Sequence, residues 1–224
     1  MKSYNTLRSI VLTCTTAIVF FAWRFIVPSF QPNPLLAALF GGIVSLGVYR
    51  LLLTIIESLL SRIEFIKKLI LYKSYLEGTW VGCYVGSDDT PVYFIEVFEQ
   101  TFDTLFIRGR CFFDNNAKKG QWISERVIID ENRASLSYTY ETDMIASTHK
   151  NQGFAVFFMI FDGKSKIATR LEGFSSDIFM PKKVLSMEIK IMKPHMFTDV
   201  ELIEKARELF SNNREFFGYR ISSH

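Results

Sequence analysis

Histidine and cysteine are scarce in this chain. The three histidines, His149, His195 and His224, lie far apart, and none sits beside a cysteine. Cys14, Cys83 and Cys111 are odd in number and lack the spacing of a metal knuckle. That argues against zinc or any other metal site and for reduced thiols in a cytosolic domain. No glycine-rich phosphate loop opens a helix, no HExxH pair occurs and no nucleophile elbow is present, so no catalytic residue is assigned and no enzyme is expected. A net positive charge is also missing from most of the chain. Residues 77–224 carry a net −3, whereas residues 1–76 carry a net +6. The larger part therefore lacks the bulk field of a DNA or RNA binder.

What the sequence does have is grease at its N-terminus. Ile10–Val27 and Leu35–Leu53 are apolar runs with few interruptions. As helices they span about 27–29 Å each, which matches a bilayer's hydrocarbon core. Pro28, Pro32 and Pro34 lie between them and stop any helix, so the pair reads as a transmembrane hairpin with a tight re-entry loop, within residues 1–56. Too little chain remains to bury such a hairpin in a soluble core. A cleaved signal peptide is disfavoured by the length of the first run and the second that follows. Lys2 and Arg8 precede the first run and Arg62, Lys67, Lys68 and Lys73 follow the second, which puts both termini in the cytoplasm. Ile56, Leu59, Ile63, Ile66 and Ile70 make a short heptad seam, so a linker helix is expected to continue from Thr54 to about Leu76.

From Gly78 the apolar period changes to two. Eight strands are expected, near Thr79–Val85, Val92–Glu99, Thr104–Phe113, Trp122–Asp130, Ala134–Glu141, Phe154–Phe161, Lys166–Phe174 and Val184–Met192. Turn residues such as Asp114-Asn115-Asn116 and Asp162-Gly163-Lys164 separate them. No helical pattern intervenes, so the strands pair serially and antiparallel into a β-barrel, with a two-sheet sandwich as the alternative. Thr142–Gln152 reads as a long polar loop. A C-terminal helix over 198–212 starts with capping-box spacing, Thr198 to Glu201, and presents Val200, Ile203, Ala206, Leu209 and Phe210 to the barrel wall or to one of its ends. The fold class is thus a membrane-anchored, mainly β protein: a two-helix hairpin, then an eight-stranded antiparallel barrel at 77–224 with a C-terminal helix.

Two constellations carry chemistry. Glu96 and Glu125 sit on otherwise apolar strand faces, where a buried carboxyl pair can do acid–base work, although an Arg partner or a place at the rim is the plainer reading. Arg108, Arg110 and Arg170, with Trp80, Tyr84, Tyr138 and Tyr140, form a basic and aromatic set. Guanidinium forks hold phosphates and rings stack bases, so these seven are the candidate ligand-binding residues for a small nucleotide; the alternative is a solvated outer face and core filler.

The layout, together with the stretch Glu77-Gly78-Thr79-Trp80-Val81-Gly82-Cys83-Tyr84, resembles the two-transmembrane, β-strand-rich effectors of CBASS anti-phage defence. The resemblance implies that a cyclic dinucleotide from a neighbouring cyclic-oligonucleotide synthase binds the cytosolic barrel. Barrels then self-associate, the hairpins cluster, and the inner membrane fails in abortive infection. It implies no cofactor. The alternative is a membrane-tethered, lipocalin-like barrel for an apolar ligand or a partner protein.

Overall fold

A computed structural model describes residues 2–26, 34–86, 89–145, 151–163, 165–179, 181–192 and 196–218. The chain divides into two compact units, Met1–Tyr72 and Lys73–His224.

The first unit is helical. The two apolar runs form α1 (Lys2–Ile26) and α2 (Pro34–Leu60). The expected loop between them falls on 27–33, outside the described residues. Thr13, Thr15 and Thr16 interrupt the first run but donate their hydroxyls to carbonyls four residues back at 2.7–2.9 Å, so they are satisfied within the helix. Large apolar side chains point outward: Phe20 is 72% exposed, Ile43 70% and Leu46 69%. Among the described residues one helical segment, Gly42–Leu60, is long and apolar enough to cross a membrane by length and composition; Arg8–Phe21 is a shorter apolar stretch.

The linker helix expected from Thr54 to Leu76 is interrupted. α2 ends at Leu60, Ile63 is extended, and α3 (Glu64–Leu71) restarts without a side-chain cap. No proline or glycine marks the break. The last turn tightens instead: the Arg62 and Ile63 amides donate three residues back, to Leu59 and Leu60, at 3.3 and 3.1 Å. The heptad seam is therefore divided between two helices.

In the second unit all eight strands form: β1 (Gly78–Val85), β2 (Pro91–Gln100), β3 (Leu105–Phe112), β4 (Lys118–Asp130), β5 (Ser135–Met144), β6 (Asn151–Phe161), β7 (Ala168–Asp177) and β8 (Val184–Ile191). They pair antiparallel in chain order, and β8 returns to β1 to close a barrel, not a sandwich. β4 starts earlier than its apolar pattern suggests, because the turn at Asn115-Asn116 is tight and Lys118 already pairs with Phe112. β5 and β6 extend into the expected Thr142–Gln152 loop, leaving 146–150 outside the described residues.

A bulge between Ser124 and Arg126 shifts the pairing of β4 with β5. Ser124 is buried, Val127 and Ile129 pack against the core, and Glu125 is exposed, where it accepts from Gln152 at 3.4 Å. The less favoured reading, a buried Glu96–Glu125 pair, is thereby excluded: one extra residue in the strand turns Glu125 outward.

α4 (Asp199–Asn212) carries the expected capping box, with the Thr198 amide donating to Glu201 at 2.7 Å. It packs on the outside of the barrel. Leu202, Ile203, Ala206, Leu209 and Phe210 cover Val81, Cys83, Tyr93, Ile95 and Met187. Leu202 takes the place expected for Val200, which is 52% exposed. β1 and β2 are thus buried on both faces, as their runs of consecutive buried residues record. One end of the barrel is sealed by Trp80, whose Nε1 donates to the Leu76 carbonyl at 2.9 Å, and by Gln100, which donates to the Ser74 carbonyl and accepts from the Leu76 amide.

Candidate functional site

Packing inside the barrel is uneven. Trp80, Phe98, Ile107, Leu136 and Leu171 fill one part of it completely. Elsewhere the side chains leave a cavity of about 290 Å³. Its walls are aromatic: Tyr84, Phe94, Trp122, Tyr138, Tyr140 and Phe157. Phe94 and Trp122 meet edge to face at 5.5 Å, and Tyr138 stacks on Phe157 at 6.2 Å. Lys119, Asp177 and Lys182 add charge to the lining, and the Tyr140 hydroxyl donates to Asp177 at 3.2 Å.

Two carboxyls, Glu96 and Glu188, also line this cavity, at 0% and 1% exposure. Glu96 Oε1 accepts from Trp122 Nε1 at 2.7 Å and from the Tyr138 hydroxyl at 2.9 Å. Glu96 Oε2 and both oxygens of Glu188 meet no protein donor. The two carboxyls are near enough to hydrogen-bond each other. Ionised carboxylates only accept, so that bond needs a proton on one of them. Burial pushes Glu96 above the usual carboxylate range. Burial first, and then the Glu96 charge, push Glu188 well above it. The pair is read as sharing one proton, the ordinary outcome when like charges are buried together.

Glycine makes room for this arrangement. A Cβ on Gly109 would lie 2.0 Å from the Trp122 indole, so only glycine lets that ring lie across β3 toward Glu96. On Gly82 it would meet Phe94 at 2.4 Å and the Glu188 side chain at 2.7 Å. Burial raises the Cys111 thiol to about 11 and the Tyr84 hydroxyl well above its usual value, which keeps both protonated in the barrel wall.

Of the seven candidate residues, the structure brings Tyr84, Tyr138 and Tyr140 together around the cavity. Trp80 lies in the sealed core and does not line it. The arginines sit on the outer wall with partners of their own. Arg108 pairs with Glu99 at 2.5 Å, Arg170 with Glu172 at 2.9 Å, and Arg110 holds Asp199 of α4 bidentately at 2.8 and 3.1 Å.

Glu188, Trp122, Lys119 and Lys182 escape the sequence reading. The alternation Ser186-Met187-Glu188-Ile189-Lys190-Ile191 is plain, but it suggests a polar outer face. The polarity is reversed because α4 covers that part of the wall: Met187 and Ile191 turn outward beneath the helix, and Ser186 and Glu188 turn inward. The apolar face of α4 was the signal that the adjoining strands would reverse.

No family model matches the chain, and no curated protein matches it. Among solved structures, a de novo designed fluorescence-activating β-barrel aligns with a TM-score of 0.34 and 14% identity, covering 54% of this chain and 96% of that one. A likeness of that size carries no argument about ligands.

Proposed function

We propose that this chain is a membrane-tethered receptor of CBASS type. Its barrel takes a cyclic dinucleotide made by a neighbouring synthase, and ligand-bound copies gather in the inner membrane and breach it. The observation that carries the reading is the cavity itself, an aromatic cup with acceptor oxygens and two lysines in its lining. Aromatic walls stack a base. Lys119 and Lys182 supply the ammonium groups that the outward arginines do not, as point charges for phosphate. About 290 Å³ is at the low end for ligand pockets, roughly 300–1,000 Å³. In this reading one base with its ribose enters, and the rest of the ring stays outside. The tether is supported by Gly42–Leu60 and by the outward apolar side chains of α1 and α2, which water would penalise and lipid would not. Gathering requires only that the ligand bind the assembled state more tightly than the free one.

Calorimetric titration of the full chain in detergent micelles with a panel of cyclic dinucleotides tests this. Saturable heat is expected with at least one, weakened tenfold or more in Tyr138→Ala and unchanged in Arg108→Ala or Arg170→Ala. Absence of heat with every member overturns the proposal. The mainly apolar lining favours a second reading, a tethered barrel for an apolar ligand, which expects native lipid to co-purify in stoichiometric amount.

A further inference from the structure

Glu96 and Glu188 leave three carboxyl oxygens without a protein donor, although both side chains are at least nine-tenths buried and both line the cavity. One shared proton can satisfy only two of these three oxygens. At least one buried acceptor stays open, and leaving such a group unpaired is costly. The two donors that Glu96 does have, Trp122 and Tyr138, both act on Oε1. They fix the carboxyl from one side and leave Oε2 with no donor but the proton of the carboxyl pair. The same two residues supply ring walls to the cavity. A flat, donor-bearing guest is therefore framed by rings and faced by oxygens.

We propose that Glu96 and Glu188 form a recognition site for a planar heteroaromatic ring carrying two adjacent N–H donors, the amidine-like edge of an amino-substituted lactam purine or an aminoazole. Once the shared proton has moved to the second Glu188 oxygen, two parallel donors match Glu96 Oε2 and the other Glu188 oxygen, as a guanidine matches a carboxylate. An edge that presents acceptors at both positions is rejected, because it would set lone pairs against lone pairs. The proposal rests on the barrel being a ligand receptor. It adds that the deep end of the site reads base identity through acids, while phosphate is held elsewhere.

The test uses the full chain in detergent micelles and two probes, 2-aminobenzimidazole and benzimidazole, which differ by one amino group. The amino probe is expected to bind at least tenfold more tightly, and Glu188→Gln or Glu96→Gln is expected to abolish that preference. Near-UV circular dichroism matching the parent shows that each variant is folded. Should Glu96→Gln fail to fold, Glu188→Gln decides. Equal binding of the two probes, or a preference that survives in the folded variants, overturns the inference. Cyclic dinucleotides that bind parent and both variants alike also overturn it while leaving the receptor reading intact. A preference for the amino probe with no heat from any cyclic dinucleotide sustains it and removes the cyclic dinucleotide reading instead.

Discussion

Glu96 and Glu188 bind protons more tightly in the folded barrel than in the unfolded chain, because burial penalises their charged forms. At any pH above the usual carboxylate range and below the pair's raised values, the native state holds more protons than the unfolded state. Stability from this source is full below that range and declines as pH rises through it. Glu188→Gln removes the coupled site and leaves an amide that can donate to Glu96. Denaturant midpoints followed by tryptophan fluorescence should fall less steeply between pH 5 and 8 in this variant, and should exceed the parent's at the upper end. Single residues were the least legible part of the sequence. Strand alternation puts Tyr138 and Tyr140 on one face, but which face looks inward is not written in the alternation itself. Glu125 was misplaced by a bulge that leaves no mark in the composition. Glu188 was missed because its strand's polarity depends on a helix that follows later in the chain.

Among the elements, α4 sets which faces of β1, β2 and β8 are apolar. Ile203 is 1% exposed and lies over Val81 and Ile95, within the cluster that joins helix to wall. Ile203→Ala should cost about 2–5 kcal/mol, the usual range for a truncated core residue. Val200→Ala, at 52% exposure, should cost less than about 0.5 kcal/mol; urea unfolding of the two variants side by side measures the difference. The strands themselves were legible, since each keeps a period of two between recognisable turns. The helical linker was not: α2 stops at Leu60 without a proline or glycine, in a stretch whose apolar seam runs on.

At the scale of the whole molecule the two units differ in kind. Lys73–His224 has an interior filled by Trp80, Phe98, Ile107 and Leu171, and its sealed end is held by Gln100 and Ser74 from within the same unit. A chain beginning at Lys73 should therefore fold alone, remain in solution without detergent, and give a β-type far-ultraviolet spectrum with a cooperative melt. A disordered spectrum from that fragment would show that the barrel needs residues 1–72.

The ring of strands has a consequence for how copies of this protein can meet. A ribbon that rejoins itself has already matched its lateral amides and carbonyls, β8 with β1 as well as each neighbour with the next. Among the described strands it leaves no lateral edge as a backbone template, so the folded barrel does not lengthen by strand addition, the route taken by cross-β fibres. Under the proposed function, gathering of copies then proceeds through side-chain surfaces or through the N-terminal helices, contacts that dilution and mild detergent can undo.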